Sequence, residues 1–179
     1  MAVFPPPEVR RIALESARSR ARDLGDRVRW TRPEYVHLTL KFLGEVPEVE
    51  SDQIGAALRK VCADHAPFDA SLSSFGAFPS ARRARVIWAG TGVGSEELRA
   101  LAADVEAAFE PLGFGKEDRT FVPHATLGRV RGKPVKLELP AVVPGEPGFG
   151  ISRVELMESK LAAGGAVYES VHSLALRSG

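Results

Sequence analysis

Two short stretches of this chain carry the same reactive residues in the same order. Tyr35-Val36-His37-Leu38-Thr39-Leu40-Lys41-Phe42-Leu43-Gly44 and Phe121-Val122-Pro123-His124-Ala125-Thr126-Leu127-Gly128 each contain His-x-Thr, then Leu and, soon after, Gly. About half the chain separates them, which suggests two similar lobes each donating one His and one Thr. Residues two apart on a strand share a face. His37 and Thr39 therefore point one way while Leu38 and Leu40 point the other, and His124 and Thr126 repeat the arrangement. Two imidazoles and two hydroxyls around one cleft suit acid–base chemistry at a phosphate. Histidine's ordinary pKa of about 6.5 lets one ring be neutral and the other protonated near neutrality. In-line displacement at phosphorus needs a base on one side and an acid on the other. Each threonine hydroxyl can donate to a non-bridging oxygen without adding a titrating group. The residues alone leave open which histidine is acid and which base.

Other chemistries fit less well. A single His on a half-buried strand is usually a satisfied polar residue, but packing gives no reason to repeat His and Thr at one spacing in separate lobes. Two His with no nearby Cys and no carboxylate completing either motif make a poor zinc site, so no metal and no cofactor are expected. No Gly-x-Ser-x-Gly elbow is present. The run Gly90-Thr91-Gly92-Val93-Gly94-Ser95 nearly matches a dinucleotide fingerprint, yet it ends in Ser and no βαβαβ series surrounds it.

The elements that must position the motifs follow from periodicity. Residues 2–4 read as a very short strand before Pro5-Pro6-Pro7, and a helix from Glu8 to Gly25 carries Arg10, Arg11, Arg18 and Arg22 mostly outward. Residues 28–30 read as a strand, and each motif is preceded by a bulky run of strand character. Helical spacing covers 51–64, with Cys62 as a small core residue and His65 capping the end. Strands are expected at 68–75 and 85–89. Ser95 is expected as the N-cap of a helix that stops near Pro111 and Gly113, with Glu96 and Glu97 in its first turn. The run 135–139, a Pro/Gly-rich loop at 140–150 and strands near 151–159 and 166–176 complete the chain, Gly164-Gly165 marking the last turn. His172 shares a strand face with Tyr168, Leu174 and Leu176 and reads as core. Irregular mixing of helices with mostly antiparallel strands argues α+β.

With 179 residues, 44% hydrophobic and 26% charged, the chain suits one domain with a real core, residues 1–179 forming two pseudo-symmetric lobes. The net charge of +1 means that an anionic partner must be met by a local basic patch, for which Arg82, Arg83 and Arg85 are candidates. The lone Cys62 excludes an internal disulfide. No apolar run approaches the roughly 20 residues that span a bilayer, and no signal-peptide layout opens the chain, so a cytoplasmic monomer without membrane contact is expected.

Residues 30–46 (WTRPEYVHLTLKFLGEV), 119–131 (RTFVPHATLGRVR) and 158–168 (ESKLAAGGAVY) resemble the 2H phosphoesterase superfamily. The closest branch is the RNA 2′,3′-cyclic phosphodiesterases, once called 2′-5′ RNA ligases. The resemblance covers nearly the whole chain; the N-terminal strand looks shorter than usual and Ala125 replaces a larger apolar residue. It implies a bilobal α+β fold with two antiparallel β-sheets and flanking helices around a central cleft. It also implies metal-free hydrolysis of RNA 2′,3′-cyclic phosphate ends to 2′-phosphates. By this resemblance His37 protonates the departing 3′ oxygen, His124 activates water, and Thr39 and Thr126 hold the phosphate. It further implies Phe42 for stacking on a base and Arg129 for the phosphate. Strict strand parity puts each of these two opposite its motif His, so a bulge or an early strand end is required. Ligation of RNA halves through the same site, or a non-catalytic RNA-end or nucleotide-binding module, are the alternatives.

Overall fold

Two of the strands at the centre of this protein's sheet are only two residues long. A computed structural model describes residues 1–47, 50–139, 142–162 and 165–177. The strands are β1 (Ala2–Val3), β2 (Val28–Trp30), β3 (Leu38–Thr39), β4 (Phe68–Phe78), β5 (Val86–Thr91), β6 (His124–Val130), β7 (Gly148–Ile151), β8 (Arg153–Ala162) and β9 (Gly165–Ala175). The helices are α1 (Pro7–Arg20), α2 (Ser51–Asp64) and α3 (Ser95–Phe109). The strands run in the order β7-β4-β5-β6-β3-β1-β8-β9, with β2 also paired to β6, and these pairings are antiparallel.

The two expected sheets are thus the halves of one hydrogen-bonded path: β7-β4-β5-β6 carries His124 and β3-β1-β8-β9 leads from His37. They meet where Leu38 of β3 pairs with Ala125 of β6. Helices cover the face away from the cleft, and they cross over. α1 packs on β4 and β6, whereas α2 packs on β8, β9 and α3. Their apolar stripes (Val9, Ala13, Leu14 and Ala17; Ile54, Leu58, Val61 and Cys62; Leu98, Leu101, Val105 and Phe109) are buried in the main core with Leu38, Leu72, Ala125 and Leu127. Each fully buried leucine stabilises by about 1.5–3 kcal/mol.

The expected helices at 51–64 and from 95 match α2 and α3. α1 ends at Arg20, earlier than Gly25, because a tighter 3₁₀ segment follows over Arg22–Arg27. Gly25 there has φ 46° and ψ −131°, which no α-helix holds. Ser95 is not the N-cap; Gly94 takes that place at φ 78°, and the Ser95 hydroxyl donates to the Thr91 carbonyl at 3.0 Å. The runs before the motifs are not strands: Pro33–Tyr35 is a 3₁₀ turn, and β6 begins only at His124. β7 begins inside the stretch read as loop and takes in Ile151, since Gly148 and Gly150 alternate with Phe149 and Ile151 as a strand does. Of the turn expected at Gly164-Gly165, Gly164 lies outside the described residues, and Gly165 already opens β9, paired with Ala162.

The face expected for His172 needs correction. Its partner is Leu156, whereas Ser170 pairs with Met157, so one extra residue of β9 bulges between them. A bulge reverses parity. Tyr168 therefore points opposite to His172, whose ring instead lies against Gly55 of α2, 3.0 Å from where a Cβ would sit.

Lys41, just after the first motif, is buried, its side chain only 1% exposed. Its ammonium donates to Glu106 Oε1 of α3 at 2.7 Å and to the Gly115 carbonyl at 2.8 Å. This ties the chain leaving β3 to the helical layer. Removing one member of a buried ion pair strands the other. Lys41→Met should lower the unfolding free energy by about 3 kcal/mol, read by urea denaturation, with Lys41→Met/Glu106→Gln losing less than the sum of the single changes.

Candidate active site

The pairing of Leu38 with Ala125 brings the central residues of both motifs side by side. Continued one residue each way, this antiparallel register sets His37 opposite Thr126 and Thr39 opposite His124. Directly opposed residues in such a ladder have Cα atoms about 4.5–5.5 Å apart, and diagonal neighbours lie about 7–8 Å apart. Leu38 and Ala125 are both 0% exposed and face the core, so the four motif side chains share the other face and are half-buried. The result is a square with the histidines on one diagonal and the threonines on the other.

Each imidazole is held by the backbone two residues before it. His37 Nδ1–H donates to the Tyr35 carbonyl at 2.8 Å, and His124 Nδ1–H to the Val122 carbonyl at 2.7 Å. A carbonyl can only accept, so Nδ1 carries the proton and the neutral ring keeps its lone pair on Nε2. The first carbonyl is set by the Pro33–Tyr35 turn, where the proline's fixed φ suits the opening position. Beside the second stands Pro123, whose fixed φ limits how the chain between that carbonyl and His124 can turn.

Aromatic rings flank both histidines. The Phe4 centroid lies 5.2 Å from that of His37, and Tyr168 meets the same ring edge-on at 5.6 Å. Phe78 meets His124 edge-on at 5.0 Å, with Trp88 at 6.0 Å. Trp88 fits because Gly76 opposite it has no Cβ; one would sit 2.1 Å from the indole. Burial is the main reason that both histidines titrate below their ordinary value. The carbonyl acceptors oppose this, while Arg10 and His124 push His37 further down and Arg129 does so for His124. His37 therefore feels His124 across the cleft.

The structure brings Arg129 to this face by a bulge. Gly128 pairs with Ile87 but Thr126 pairs with Trp88, so Leu127 is the extra residue. Beyond it parity reverses, and Arg129 points to the side of Thr126 and His124. Phe42 follows the other route: β3 ends at Thr39, and Phe42 stands 68% exposed. Among the α1 arginines expected to be solvated, Arg10 donates to the Glu34 carbonyl at 2.9 Å and its guanidinium lies 5.8 Å from the Phe4 ring centre. It braces the turn under His37. Sequence reasoning misses Phe4, Tyr35, Phe78, Trp88 and Arg10, and it places Tyr168 in the core; only the neighbourhood of a His-x-Thr motif could have hinted at Tyr35.

The remaining candidates make other contacts. His65 caps α2 and its Nε2–H donates to Asp104 at 2.8 Å. Burial pushes the Cys62 thiol up to about 11, as an inert core residue requires. Arg82 and Arg83 are exposed on a 3₁₀ turn after β4, and Arg85 donates to the Gly132 carbonyl at 3.4 Å. Among the described residues no three His, Cys, Asp or Glu side chains gather as a metal-ligand set, and no helix is long and apolar enough to cross a membrane.

A curled antiparallel sheet with helices on one face and paired His-x-Thr motifs in its hollow defines a phosphoesterase class. The family model described as "LigT like Phosphoesterase" matches residues 3–88 and 92–168, and the chain belongs to that family. It is 35% identical to an RNA 2′,3′-cyclic phosphodiesterase of Aeropyrum pernix over 79% of this chain and 82% of that one. Its identity to the Thermus thermophilus protein of the same description is 34%, over 98% of this chain and 88% of that one. A crystal structure of a Thermus thermophilus protein superposes with TM-score 0.86 at 31% identity, covering 98% of this chain and 96% of that one. Escherichia coli LigT, in a crystal structure with 3′-AMP, shares the fold at TM-score 0.82 and 24% identity, covering 98% and 95%.

The backbone bonds make a spectroscopic prediction. Above neutral pH, long-range proton–nitrogen NMR should show both His37 and His124 as the Nδ1–H tautomer, with titration midpoints below 6.5. An Nε2–H tautomer on either ring would contradict the arrangement.

Proposed function

We propose that this protein hydrolyses RNA 2′,3′-cyclic phosphate ends to 2′-phosphates, with His37 and His124 as the acid–base pair and Thr39 and Thr126 holding the phosphate. The observation that carries this reading is the Leu38–Ala125 pairing, which sets two free Nε2 atoms on opposite corners of one polar square. A phosphorus atom over its centre meets a base on one side and an acid on the other, as in-line displacement demands. The His124 lone pair takes a proton from the attacking water. Protonated His37 gives one to the departing 3′ oxygen. Thr39 and Thr126 donate to non-bridging oxygens where negative charge develops. Arg129, on the same face, adds a guanidinium for the phosphate, and exposed Phe42 offers a ring to a base. These groups supply base, acid and charge stabilisation without asking a metal for any of them. The relatives described as RNA 2′,3′-cyclic phosphodiesterases support the substrate.

Product analysis on a short cyclic-phosphate oligonucleotide in EDTA tests this. A 2′-phosphate end should form, and His37→Ala or His124→Ala should each cut kcat by at least about 10²-fold. Retained turnover in either variant would sink the two-histidine mechanism.

The pH profile gives a second test. Both histidines titrate below their ordinary value, so both limbs of the kcat/KM bell shift to the acid side, and the optimum should fall below about 6.5. A bound phosphate anion favours the protonated rings, so the kcat bell should lie at higher pH than the kcat/KM bell. The reverse order would contradict the assignment.

A further inference from the structure

We infer that four arginines leading away from His124 form the track for the RNA strand on the 5′ side of the cyclic phosphate. The inference rests on the reading that the site takes an RNA end. Arg29 of β2 and Arg129 of β6 are direct register partners. One step outward, the Arg131 N–H donates to the Arg27 carbonyl at 2.7 Å, which puts Arg27 opposite Arg131. All four are exposed. Between them Val28 and Val130 pair and turn to the core side, as does Gly128, where a Cβ would meet Val28 at 2.9 Å. Arg29 and Arg129 therefore occupy the opposite face, which the Leu127 bulge joins to Thr126 and His124, and the Arg131–Arg27 bond carries the same register one step past the strand ends.

Like charges placed directly opposite on neighbouring strands destabilise a sheet. Two such pairs in succession favour an anion bound beside them, since among the described residues none of the four meets a carboxylate. The chain's net charge is only +1, so the concentration is local. Among the described residues the other half of the sheet shows no counterpart: Lys160 there is matched by Glu158 at 3.2 Å and Glu169 at 2.9 Å.

Substrate chemistry asks for this asymmetry. A 2′,3′-cyclic phosphate occupies both hydroxyls of the terminal ribose, so the strand can leave the site only in the 5′ direction. One exit needs one track. Alternate residues of a strand lie about 6.8 Å apart, close to the separation of successive phosphates in an extended single strand. Guanidinium groups at that interval suit phosphodiesters better than isolated carboxylates.

The test uses Arg27→Gln/Arg131→Gln and, separately, Arg29→Gln, which leave the motif residues and Arg129 in place. Binding of a labelled single-stranded RNA of about ten nucleotides with a 3′-phosphate is followed by anisotropy over a salt series. The double variant should bind more weakly, with a log K against log salt slope shallower by about 1.4. The KM for a cyclic-phosphate oligonucleotide should rise several-fold while kcat/KM for a mononucleotide 2′,3′-cyclic phosphate stays unchanged. Unchanged affinity and slope in both variants would overturn the track. So would equal displacement of the RNA by polyglutamate, which would mark a surface for acidic protein. A chain that turns over no cyclic phosphate, yet loses RNA affinity and slope in the variants, would sink the hydrolysis reading and leave the track standing.

Discussion

The site depends on one backbone pairing, Leu38 with Ala125 at the seam of the sheet. It is set by packing. Both residues are fully buried, and a slip by one would turn every motif side chain to the core and every core residue to the cleft. The large leucine faces the small alanine, so the pair fills the core beneath the seam without crowding it. β3 is too short to fix this register by its own hydrogen bonds. It is held from three sides: by β1 through Ala2–Thr39 and Val3–Leu38, by β6, and by Lys41 through Glu106 and Gly115. The geometry of the site thus rests on a central position that the core and a buried ion pair over-determine.

Burial has opposite consequences for the two roles assigned to the histidines. A ring that titrates low is available as a base at neutral pH but is a poor reservoir for the acid's proton. The phosphate itself resolves this on the proposed mechanism. A unit negative charge at 4 Å in partly screened surroundings is worth about 4 kcal/mol, while each tenfold change in protonation takes about 1.4 kcal/mol. The anion outweighs moderate desolvation and recharges one ring as it binds. The second stays neutral because two like charges on one diagonal repel. Bound substrate thus raises the share of the pair that is one acid and one base near neutral pH.

The aromatic neighbours explain why the rings are buried although they line a cleft. Phe4 and Tyr168, from opposite ends of the chain, flank His37, and Phe78 and Trp88, from the neighbouring strands β4 and β5, flank His124. They exclude water from the flanks of each imidazole, and the carbonyl bond at Nδ1 fixes its rotation. The halves reach this state differently. His37 is braced by Arg10 through the Pro33–Tyr35 turn and the Phe4 ring, whereas His124 relies on Pro123 and on an indole seated over a glycine.

What the sequence could reveal was set by how local each signal is. The repeated His-x-Thr spacing, the periodicity of α2 and α3 and the α+β class rest on near neighbours and were legible. The Phe4, Trp88 and Tyr168 contacts depend on strands that meet only in the folded sheet, and no local pattern announces them. Parity arguments fail at two bulges and where β3 ends before Phe42. Alternation alone turns Arg129 away from His124 and groups Tyr168 with His172; one extra residue, at Leu127 and near Val171, reverses each. A bulge leaves no mark in composition, since Leu127 is fully buried and passes for an ordinary core position. Yet each bulge leaves a side chain, Arg129 or Tyr168, on the cleft side while its strand keeps apolar residues on the core. The sheet can therefore serve packing and chemistry along one strand only by breaking its own alternation where the two demands diverge.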